Sequence, residues 1–245
     1  MRAGLLFLCA VLMLALGTML EAQAQDTGTV YVVTYLEVRP TARAEATTLL
    51  KELREQSRKQ DGNLATEVLV SSLRPGQFVV LTTWKDQKAL DAHMAASAIK
   101  DLRGKVHELR NSPADDRIHN SLTVAKADAA AARRPIYVVT HVDVPPPRKD
   151  DCIALLRTLA DASRKEAGNL RYDVVQQTSR PNHFTVVEVW RNRKAFDEHA
   201  AASAARAFRD QLTPMSGALY DERLYRGVDA IGPLAGRAGK GERQD

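Results

Sequence analysis

The chain contains two copies of one sequence pattern, and this duplication limits the folds that it can adopt. The strings YVVT, SRK, GNL and AASA each occur twice, and every second copy lies 106 positions after the first. Trp84 and Trp190 keep this spacing, as do His93 and His199, so the two copies align without a gap. Solenoid repeats have periods of about 20 to 50 residues. The longer period therefore predicts two domains of similar fold.

Each copy has the pattern of strands and helices in the order β-α-β-β-α-β. The stretch Phe184 to His199 shows this best, since β-branched and aromatic residues alternate up to Trp190 and apolar residues then recur at helical spacing. For the first copy we predict strands at Val30–Val38, Leu64–Ser71, Phe78–Trp84 and Arg117–Val124, and helices at Thr41–Lys59 and Gln87–Glu108, the latter broken near Gly104. The sequence thus predicts an α+β fold of two tandem ferredoxin-like (βαββαβ) domains, packed sheet to sheet to bury their free apolar faces.

The N-terminal segment is typical of a cleavable signal peptide. Arg2 supplies a positive start, residues 5–20 are nearly all apolar, and small residues precede a cleavage point after Ala24. We expect a periplasmic or secreted protein. A membrane anchor is the alternative, although the apolar run is shorter than the ~20 residues of a spanning helix. The other predicted boundaries are 25–120 for the first domain, 121–135 for a linker, 136–228 for the second domain and 229–245 for a Gly-rich disordered tail.

Composition argues against several classes of function. The net charge is +5, but the basic residues are scattered among acids, without the aromatic-lined stripe of a nucleic-acid-binding surface. We predict no metal site, because the sequence has no histidine pair at i, i+4 and no cysteine cluster. No glycine-rich nucleotide loop follows a strand. Cleavage would remove Cys9 and leave Cys152 on the apolar side of a helix, which predicts a buried thiol, with a reactive thiol as the alternative.

Glu188, Trp190 and His199 form the one constellation in the sequence that could carry chemistry. Glu188 and Trp190 share a face of the predicted strand, and His199 lies on the sheet-facing side of the following helix. A carboxyl group in an apolar strand needs a partner or a raised pKa. Each residue also has a structural interpretation: His199 as a hydrogen-bonded core histidine, Trp190 as core packing, and Glu188 as the partner of an arginine.

A series of motifs in the second copy, from Gly168 to Leu212, matches one known pattern. Its parts are the Gly-Asn-Leu turn, the E-x-W strand end at Glu188 and Trp190, the A-F-x-x-H motif that ends at His199, and then Ser203 and Phe208. With these residues the chain resembles the antibiotic biosynthesis monooxygenase family, which includes quinol monooxygenases, in the dimeric α+β barrel superfamily. The resemblance covers nearly all of both copies. It implies that the two domains build an intrachain dimeric α+β barrel.

The resemblance also implies a small pocket between sheet and helices, in which several family members oxidise quinols or phenols with O₂ and without metal or flavin. A deprotonated phenol is electron-rich, so the protein needs to bind it, remove its proton and exclude water. His199 would take the proton, Glu188 would orient the imidazole, and Asn169 would bind a substrate or peroxide oxygen. Asn is also favoured after a helix-ending glycine for turn geometry alone. Aromatic side chains would form the substrate-binding walls: Trp190, Tyr172, Phe184 and Phe208.

The first copy departs from this pattern at several of these positions. Threonine or leucine replaces three site residues, with Thr82 for Glu188, Thr66 for Tyr172 and Leu102 for Phe208. His93, Trp84 and Asn63 remain as degenerate equivalents. We therefore predict one working pocket, in the second copy, and a mainly structural role for the first.

Three functions are compatible with these patterns. The first is an exported, cofactor-independent monooxygenase that oxidises a quinol-like or polyphenolic small aromatic with O₂. The alternative is a non-catalytic exported protein that binds a small molecule or a partner on the same fold. A haem-binding or haem-degrading protein is the third, and it alone requires a cofactor. We expect a small aromatic ligand, no nucleic acid and no membrane association after signal cleavage, and the sequence leaves homo-oligomerisation open.

Overall fold

The computed structural model of the chain describes residues 28–125, 132 and 134–230. The strands within these residues are β1 Val30–Glu37, β2 Asn63–Ser71, β3 Gln77–Trp84, β4 Asp115–Thr123, β5 Ile136–Asp143, β6 Asn169–Gln177, β7 His183–Trp190 and β8 Asp221–Gly227. The α-helices are α1 Arg43–Arg58, α2 Gln87–Ala95, α3 Ser97–Leu109, α4 Lys149–Ser163, α5 Arg193–Ala201 and α6 Ser203–Leu212. The predicted signal peptide at 1–24, most of the predicted linker after 125 and residues 231–245 of the predicted tail lie outside the described residues.

Each repeat folds as βαββαβ, with its second helix divided into two. The division falls at Ala96 in the first repeat and at Ala202 in the second, where the backbone is extended with ψ of 130° and 149°. The predicted break near Gly104 is wrong, because Gly104 lies within α3. The true break carries no glycine or proline. It follows from packing, since each short helix buries its own apolar side against the sheet.

The eight described strands close into one antiparallel barrel in the order β1-β3-β2-β8-β5-β7-β6-β4. The last strand of each repeat joins the other repeat: β4 pairs with β6, and β8 pairs with β2. This confirms the prediction of an intrachain dimeric α+β barrel. Closure also removes the free sheet edges that a single ferredoxin-like domain would expose.

The alternation of side chains along the strands divides the apolar residues between the barrel interior and the helix side. Inside the barrel, Val33, Leu69, Val79, Val187 and Tyr225 pack together. On the outside, the helices of each repeat cover the other face of its strands and form a separate core for each repeat. The helix-side face of β7 includes Glu188 and Trp190, so any site built on these residues lies between sheet and helices.

The Gly-Asn-Leu turn joins the first helix of each repeat to its second strand. Gly62 and Gly168 have φ of 79° and 91°, a region that favours glycine. A Cβ atom on Gly62 would lie 2.6 Å from the Cβ of Ala89, and one on Gly168 would lie 2.7 Å from that of Ala195. The turn therefore needs glycine both for its backbone conformation and for the close approach of the following helix.

Several other sequence expectations can be compared with the described residues. Cys152 is fully buried in α4, as predicted, and burial raises the pKa of its thiol to about 12. Strand β4 continues to Thr123, inside the segment assigned to the linker. Asp229, which we assigned to the tail, forms an ion pair with Lys51 at 3.2 Å. Among the described helices, none combines the length and the apolar character that crossing a membrane requires.

Candidate functional site

The three residues of the predicted constellation meet between β7 and α5. Nε1 of Trp190 donates a 2.7 Å hydrogen bond to Oε2 of Glu188. The ring of His199 stacks on Trp190, with centroids 4.5 Å apart. Nε2 of His199 lies 3.6 Å from Oε2 of Glu188, beyond hydrogen-bond distance. The structure thus brings together the acid, the indole and the imidazole that the sequence pointed to.

Glu166, which sequence reasoning missed, is the direct partner of His199. Nδ1 of His199 donates to the two carboxylate oxygens of Glu166 at 3.2 and 3.1 Å. Burial lowers the pKa of His199, although Glu166 acts in the opposite direction. Glu166 lies next to the helix-ending glycine turn, 33 residues before its partner. Only an alignment of the two repeats, where Gln60 occupies the equivalent position, could have drawn attention to it.

Glu188 lies in an unusually dry place for a carboxyl group. It is 1% exposed, and its Oε1 has no hydrogen-bond partner among the described residues. Burial raises its pKa to about 8, against the effect of the Trp190 hydrogen bond, and the charges of Glu222 and Glu166 add to the rise. This environment therefore favours the protonated, neutral form of Glu188 near pH 7.

The aromatic residues predicted as substrate-binding walls fill the second repeat. Tyr172, Phe184 and Phe208 are 1%, 0% and 4% exposed and belong to one apolar core. The Tyr172 ring meets the edge of His199 with centroids 5.9 Å apart, and Phe208 contacts Tyr220 at 6.1 Å. These side chains pack against one another in the core, in the region where the sequence analysis predicted the substrate.

The side-chain hydrogen bond of Asn169 is made within its own turn and does not involve His199, Glu188 or Trp190. Its side-chain nitrogen donates to the carbonyl oxygen of Arg171 at 3.3 Å, at the bulge where β6 begins. Asn63 makes the equivalent contact in the first repeat, at 3.4 Å to Ala65, and also donates to Thr66 at 2.9 Å. Both contacts are those of a residue that shapes a turn.

A cavity of about 360 Å³ lies in the first repeat, between β1, β3, β4 and the helices. This size falls in the range of small-molecule sites, about 300 to 1,000 Å³. Its walls are mainly aliphatic, from Leu36, Leu50, Leu53, Val80, Leu90 and Val106. Its polar lining comes from His93, Arg103, His107, Arg110 and Asp116, and Met94 and Gly104 line it where they are exposed to solvent. This cavity thus lies in the repeat for which we predicted a mainly structural role.

Several side chains of the first repeat are smaller than their equivalents in the second, and two of them line the cavity. Positions separated by 106 residues are equivalent, and four of them carry a small or aliphatic residue in the first repeat and an aromatic one in the second: Thr66 and Tyr172, Leu90 and Phe196, Leu102 and Phe208, and Ala114 and Tyr220. The sequence analysis took Thr66 and Leu102 as departures from the site pattern and did not consider Leu90 or Ala114. In the folded protein, Leu90 and Ala114 line the cavity, and the equivalent positions of the second repeat carry Phe196 and Tyr220.

His93 lines this cavity in a neutral form. Its ring packs on Trp84 with centroids 4.5 Å apart, and its Nδ1 donates to Oε1 of Gln60 at 2.7 Å. This bond leaves Nε2 as the nitrogen available to the cavity. Burial lowers the pKa of His93 to about 4, and the positive charge of Arg103 acts in the same direction. The indole of Trp84 donates to the Thr82 hydroxyl at 2.9 Å, where Trp190 donates to Glu188 in the second repeat.

An ion pair between Asp116 and Arg103 lies at the polar end of the cavity. Oδ1 of Asp116 accepts a 2.6 Å hydrogen bond from the Thr34 hydroxyl, and Oδ2 accepts one of 2.7 Å from Arg103. Burial alone would raise the pKa of Asp116, but the bonds from Arg103 and Thr34 outweigh it and lower the pKa. Arg110 contacts Nδ1 of His107. Because Asp116 is paired with Arg103, the charge of Arg110 leaves this end of the cavity with a net positive potential.

A second group of polar side chains lies at one end of the barrel interior, away from this cavity. His141, Asp143 and His183 each offer one possible metal-ligating atom, and these atoms lie within 4.8 Å of one another. Sequence reasoning missed the group, because its two histidines lie 42 residues apart and on different strands. Neither histidine is part of a metal-binding sequence motif with a fixed spacing, such as a histidine pair at i, i+4.

Comparison with known proteins identifies the family. The sequence profile of the antibiotic biosynthesis monooxygenase family matches residues 29–105 and 135–211. The chain is 39% identical over 99 residues to an uncharacterized protein of Synechocystis sp., a match that covers 40% of this chain and 67% of that protein. It is 27% identical over 64 residues to YcnE of Bacillus subtilis, named as a candidate monooxygenase, with 26% of this chain and 67% of YcnE covered.

A solved structure matches both repeats together. A Fusobacterium nucleatum protein, also named as a candidate monooxygenase, superposes with a TM-score of 0.75 over 82% of this chain and 93% of that protein. At 13% sequence identity this likeness concerns the fold. The profile matches, one in each repeat, carry the assignment. The chain belongs to the antibiotic biosynthesis monooxygenase family, with two tandem copies of the family's domain in one polypeptide.

Proposed function

We propose that this protein is an exported, cofactor-independent monooxygenase that oxidises a quinol-like or polyphenolic aromatic with O₂ in the first-repeat cavity. The observation that supports the proposal best is the cavity of about 360 Å³ lined by His93 and by aliphatic walls. A planar aromatic ring suits such walls, and a phenolic hydroxyl suits the imidazole and the arginines beside it. Family membership supplies the reaction class.

The substrate itself can supply the electrons for this reaction. A hydroquinone that reacts with one O₂ gives a hydroxyquinone and one water: one oxygen atom enters the ring and the other leaves as water. The hydroquinone loses four electrons in total, two in reaching the quinone level and two in forming the new C–O bond. The required protons come from its own hydroxyl and ring positions. The protein's task is to bind the ring, hold the phenolate and exclude bulk water.

Nε2 of His93 is the group that we assign to proton removal. His93 is neutral at pH 7, because its pKa is lowered to about 4. A base of this pKa is weak, so proton transfer needs help from the electrostatics of the site. The phenolate formed beside His93 would stabilise the new imidazolium, and Arg103 and Arg110 would stabilise the phenolate. The two cations thus compensate for the weak base.

The second repeat is assigned a structural role in this proposal. Phe196 and Tyr220 take the places of the cavity-lining Leu90 and Ala114. Its polar group of Glu188, Glu166 and His199 forms internal contacts. The assignment reverses the roles that the sequence suggested for the two repeats. Export is proposed from the sequence of residues 1–24, and the N-terminal sequence of the protein recovered from the periplasm or medium would test it.

The direct test is oxygen uptake by the purified protein with a panel of hydroquinones and polyphenols. We expect oxygen uptake faster than autoxidation in the unmodified protein. His93→Ala should lower this rate at least ~100-fold, the size of a typical general-base contribution, and His199→Ala should leave it unchanged. Circular dichroism of both variants controls for folding. Loss in His199→Ala alone would place the site in the second repeat. Ligand binding without uptake would reject the oxygenase proposal in favour of a non-catalytic binding protein.

A further inference from the structure

The His141, Asp143 and His183 side chains share one face of two neighbouring strands. In the pairing of β5 with β7, Asp143 lies opposite His183, and His141 lies opposite Thr185, two positions along. Because side chains alternate across a strand, all three point toward the barrel interior, on the opposite side from the first-repeat cavity. They are half-buried, so an ion in solution can reach them.

The two imidazoles are spaced as ligands of one metal ion. Nε2 of His141 and Nδ1 of His183 lie 3.3 Å apart, with the ring centroids 5.3 Å apart. Two nitrogens bound to a tetrahedral zinc ion at about 2.0 to 2.1 Å each are separated by about 3.3 Å. An ion can therefore enter between these nitrogens without a rearrangement of the strands.

Asp143 holds His183 in the tautomer that a metal needs. Oδ1 of Asp143 lies 3.4 Å from Nε2 of His183, on the side of the ring that faces away from His141. A carboxylate there keeps the proton on Nε2 and leaves the lone pair of Nδ1 directed at His141, as in the outer shell of many metal sites. The loop at Gly217 braces Asp143: its N–H donates to the Asp143 carbonyl at 2.8 Å, and a Cβ on Gly217 would lie 3.0 Å from Oδ1.

Arg117 competes with a metal for this site. Its Nη1 donates to Nδ1 of His141 at 3.1 Å, which in the metal-free protein places the His141 proton on Nε2, between the two rings. An ion bound to Nε2 would replace that proton, and the remaining hydrogen of the His141 ring would lie on Nδ1. Nδ1 could then no longer accept the hydrogen bond from Arg117. Arg117 has another anchor in Asp115, which accepts from its Nε and Nη2 at 2.9 and 2.6 Å. Because the guanidinium is planar and rigid, its Nη1 can leave His141 only if the Arg117 side chain moves as a whole.

We propose that His141 and His183, oriented by Asp143, bind one divalent transition-metal ion of the imidazole-preferring class, such as Zn²⁺ or Cu²⁺. The site is specific to the second repeat. The equivalent positions of the first repeat hold Tyr35, Glu37 and Gln77. One ion per chain is therefore expected, independent of any substrate in the cavity.

Titration calorimetry with Zn²⁺ and with Cu²⁺, on protein without a histidine tag, tests the proposal. We expect one ion per chain, at least ~10-fold weaker binding in His183→Gln and ~10- to 100-fold weaker binding in Asp143→Asn. Arg117→Gln should bind more tightly, because it removes the competing donor and its charge. His107→Ala, which changes an exposed histidine, should not alter the metal affinity.

Spectroscopy makes the result independent of calorimetry and of any loss of stability. The electron paramagnetic resonance spectrum of one equivalent of Cu²⁺ should show hyperfine coupling to two nitrogens, reduced to one or none in His183→Gln. Gln77 occupies this position in the first repeat, so glutamine is compatible with the strand, and circular dichroism of the metal-free variant checks its fold. Unchanged stoichiometry and spectrum in His183→Gln, or no binding by the unmodified protein, would overturn the proposal.

Discussion

Nε1 of Trp190 donates a 2.7 Å hydrogen bond to Oε2 of Glu188, and both side chains are withdrawn from solvent. In the first repeat the hydroxyl of Thr82 accepts the same bond from Trp84. The fold therefore needs an acceptor at this position but not a carboxyl group. Glu188 is retained in a place where its ionised form is unfavourable, and this makes stability depend on pH.

Glu188→Gln is expected to change this pH dependence. The pKa of Glu188 is about 8 in the folded protein and 4.5 for the free group. Between these values the folded state binds more protons than the unfolded state, so the free energy of unfolding falls as pH rises. Glutamine keeps the acceptor for Trp190 and removes the titration. Relative to Glu188→Gln, the unmodified protein should lose a few kcal/mol of stability, as an order of magnitude, from pH 5 to 8.5.

Urea unfolding at pH 5 and pH 8.5 measures this difference. Glu52→Gln, which changes an exposed glutamate on α1, is the matched control and should leave the pH dependence as it is. Stability curves for the unmodified protein and Glu188→Gln that run parallel over this range would show that Glu188 ionises normally in the fold.

Ala114→Tyr is expected to close the first-repeat cavity without unfolding the protein. Tyr220 occupies the equivalent position in the second repeat, where it packs on Phe208. The same side chain at 114 should enter the cavity that Ala114 lines. Oxygen uptake, and quenching of Trp84 fluorescence by a naphthoquinone in a Trp190→Phe background, should both be lost. The free energy of unfolding should stay within ~1 kcal/mol, because the ring fills existing space and does not overpack a filled core.

The reverse change provides the control for this prediction. Tyr220→Ala removes aromatic packing from the second repeat and should lower stability by ~3 kcal/mol, as large-to-small core substitutions do. It should leave uptake by the folded fraction unchanged. If Ala114→Tyr kept full uptake and quenching, the substrate would not lie in the first-repeat cavity.

The fold could be predicted from the sequence because its signals are local and occur twice. Strand alternation, the Gly62 and Gly168 turns and the constant spacing each indicate the same βαββαβ unit, and the closed barrel confirms it. The helix break at Ala96 could not be predicted, since tertiary packing sets it and no glycine or proline marks it.

The sequence analysis did not anticipate the cavity in the first repeat. Residue types show which side chains can do chemistry, and they led correctly to the joint position of Glu188, Trp190 and His199. Whether a space remains beside them depends on the summed volume of side chains from several elements. Leu90 lies on α2 and Ala114 in the loop before β4, and their joint effect on one volume is visible only in three dimensions.

Gln60→Glu is expected to raise the pKa of His93. Gln60 accepts a 2.7 Å bond from Nδ1 of His93, and Glu166 holds the equivalent position beside His199. A carboxylate at this distance stabilises the imidazolium and typically shifts a pKa by about 1 to 3 units. Two-dimensional NMR of the imidazole should show His93 titrating near pH 4 in the unmodified protein and higher in Gln60→Glu.

The activity should follow the same shift. With His93 as the base, the acid limb of oxygen uptake should lie near pH 4 in the unmodified protein and move upward in Gln60→Glu. Glu166→Gln is the matched control in the second repeat and should leave the limb in place. An acid limb near 6.5 in all three proteins would exclude His93 as the titrating group.

Arg171→Ala is expected to destabilise the whole barrel, because Arg171 joins the two repeats inside it. Nη1 of Arg171, on β6, donates to Oε2 of Glu67, on β2, at 2.7 Å, and its Nε contacts Asp173. The three side chains are 12%, 20% and 4% exposed. Removal of the arginine leaves two carboxylates facing each other in the interior, which typically costs about 3 to 5 kcal/mol. Urea unfolding at pH 7 measures the loss.

A neutral version of the same cluster separates the cost of unpaired charge from the cost of lost packing. Combining Glu67→Gln, Arg171→Met and Asp173→Asn removes the charges and keeps the side-chain volumes. It should recover most of the stability that Arg171→Ala loses, since well-packed neutral groups often replace a buried ion pair at little cost. If the triple variant were as unstable as Arg171→Ala, the ion pairs themselves would hold the repeats together, and their geometry would outweigh the cost of burying three charges.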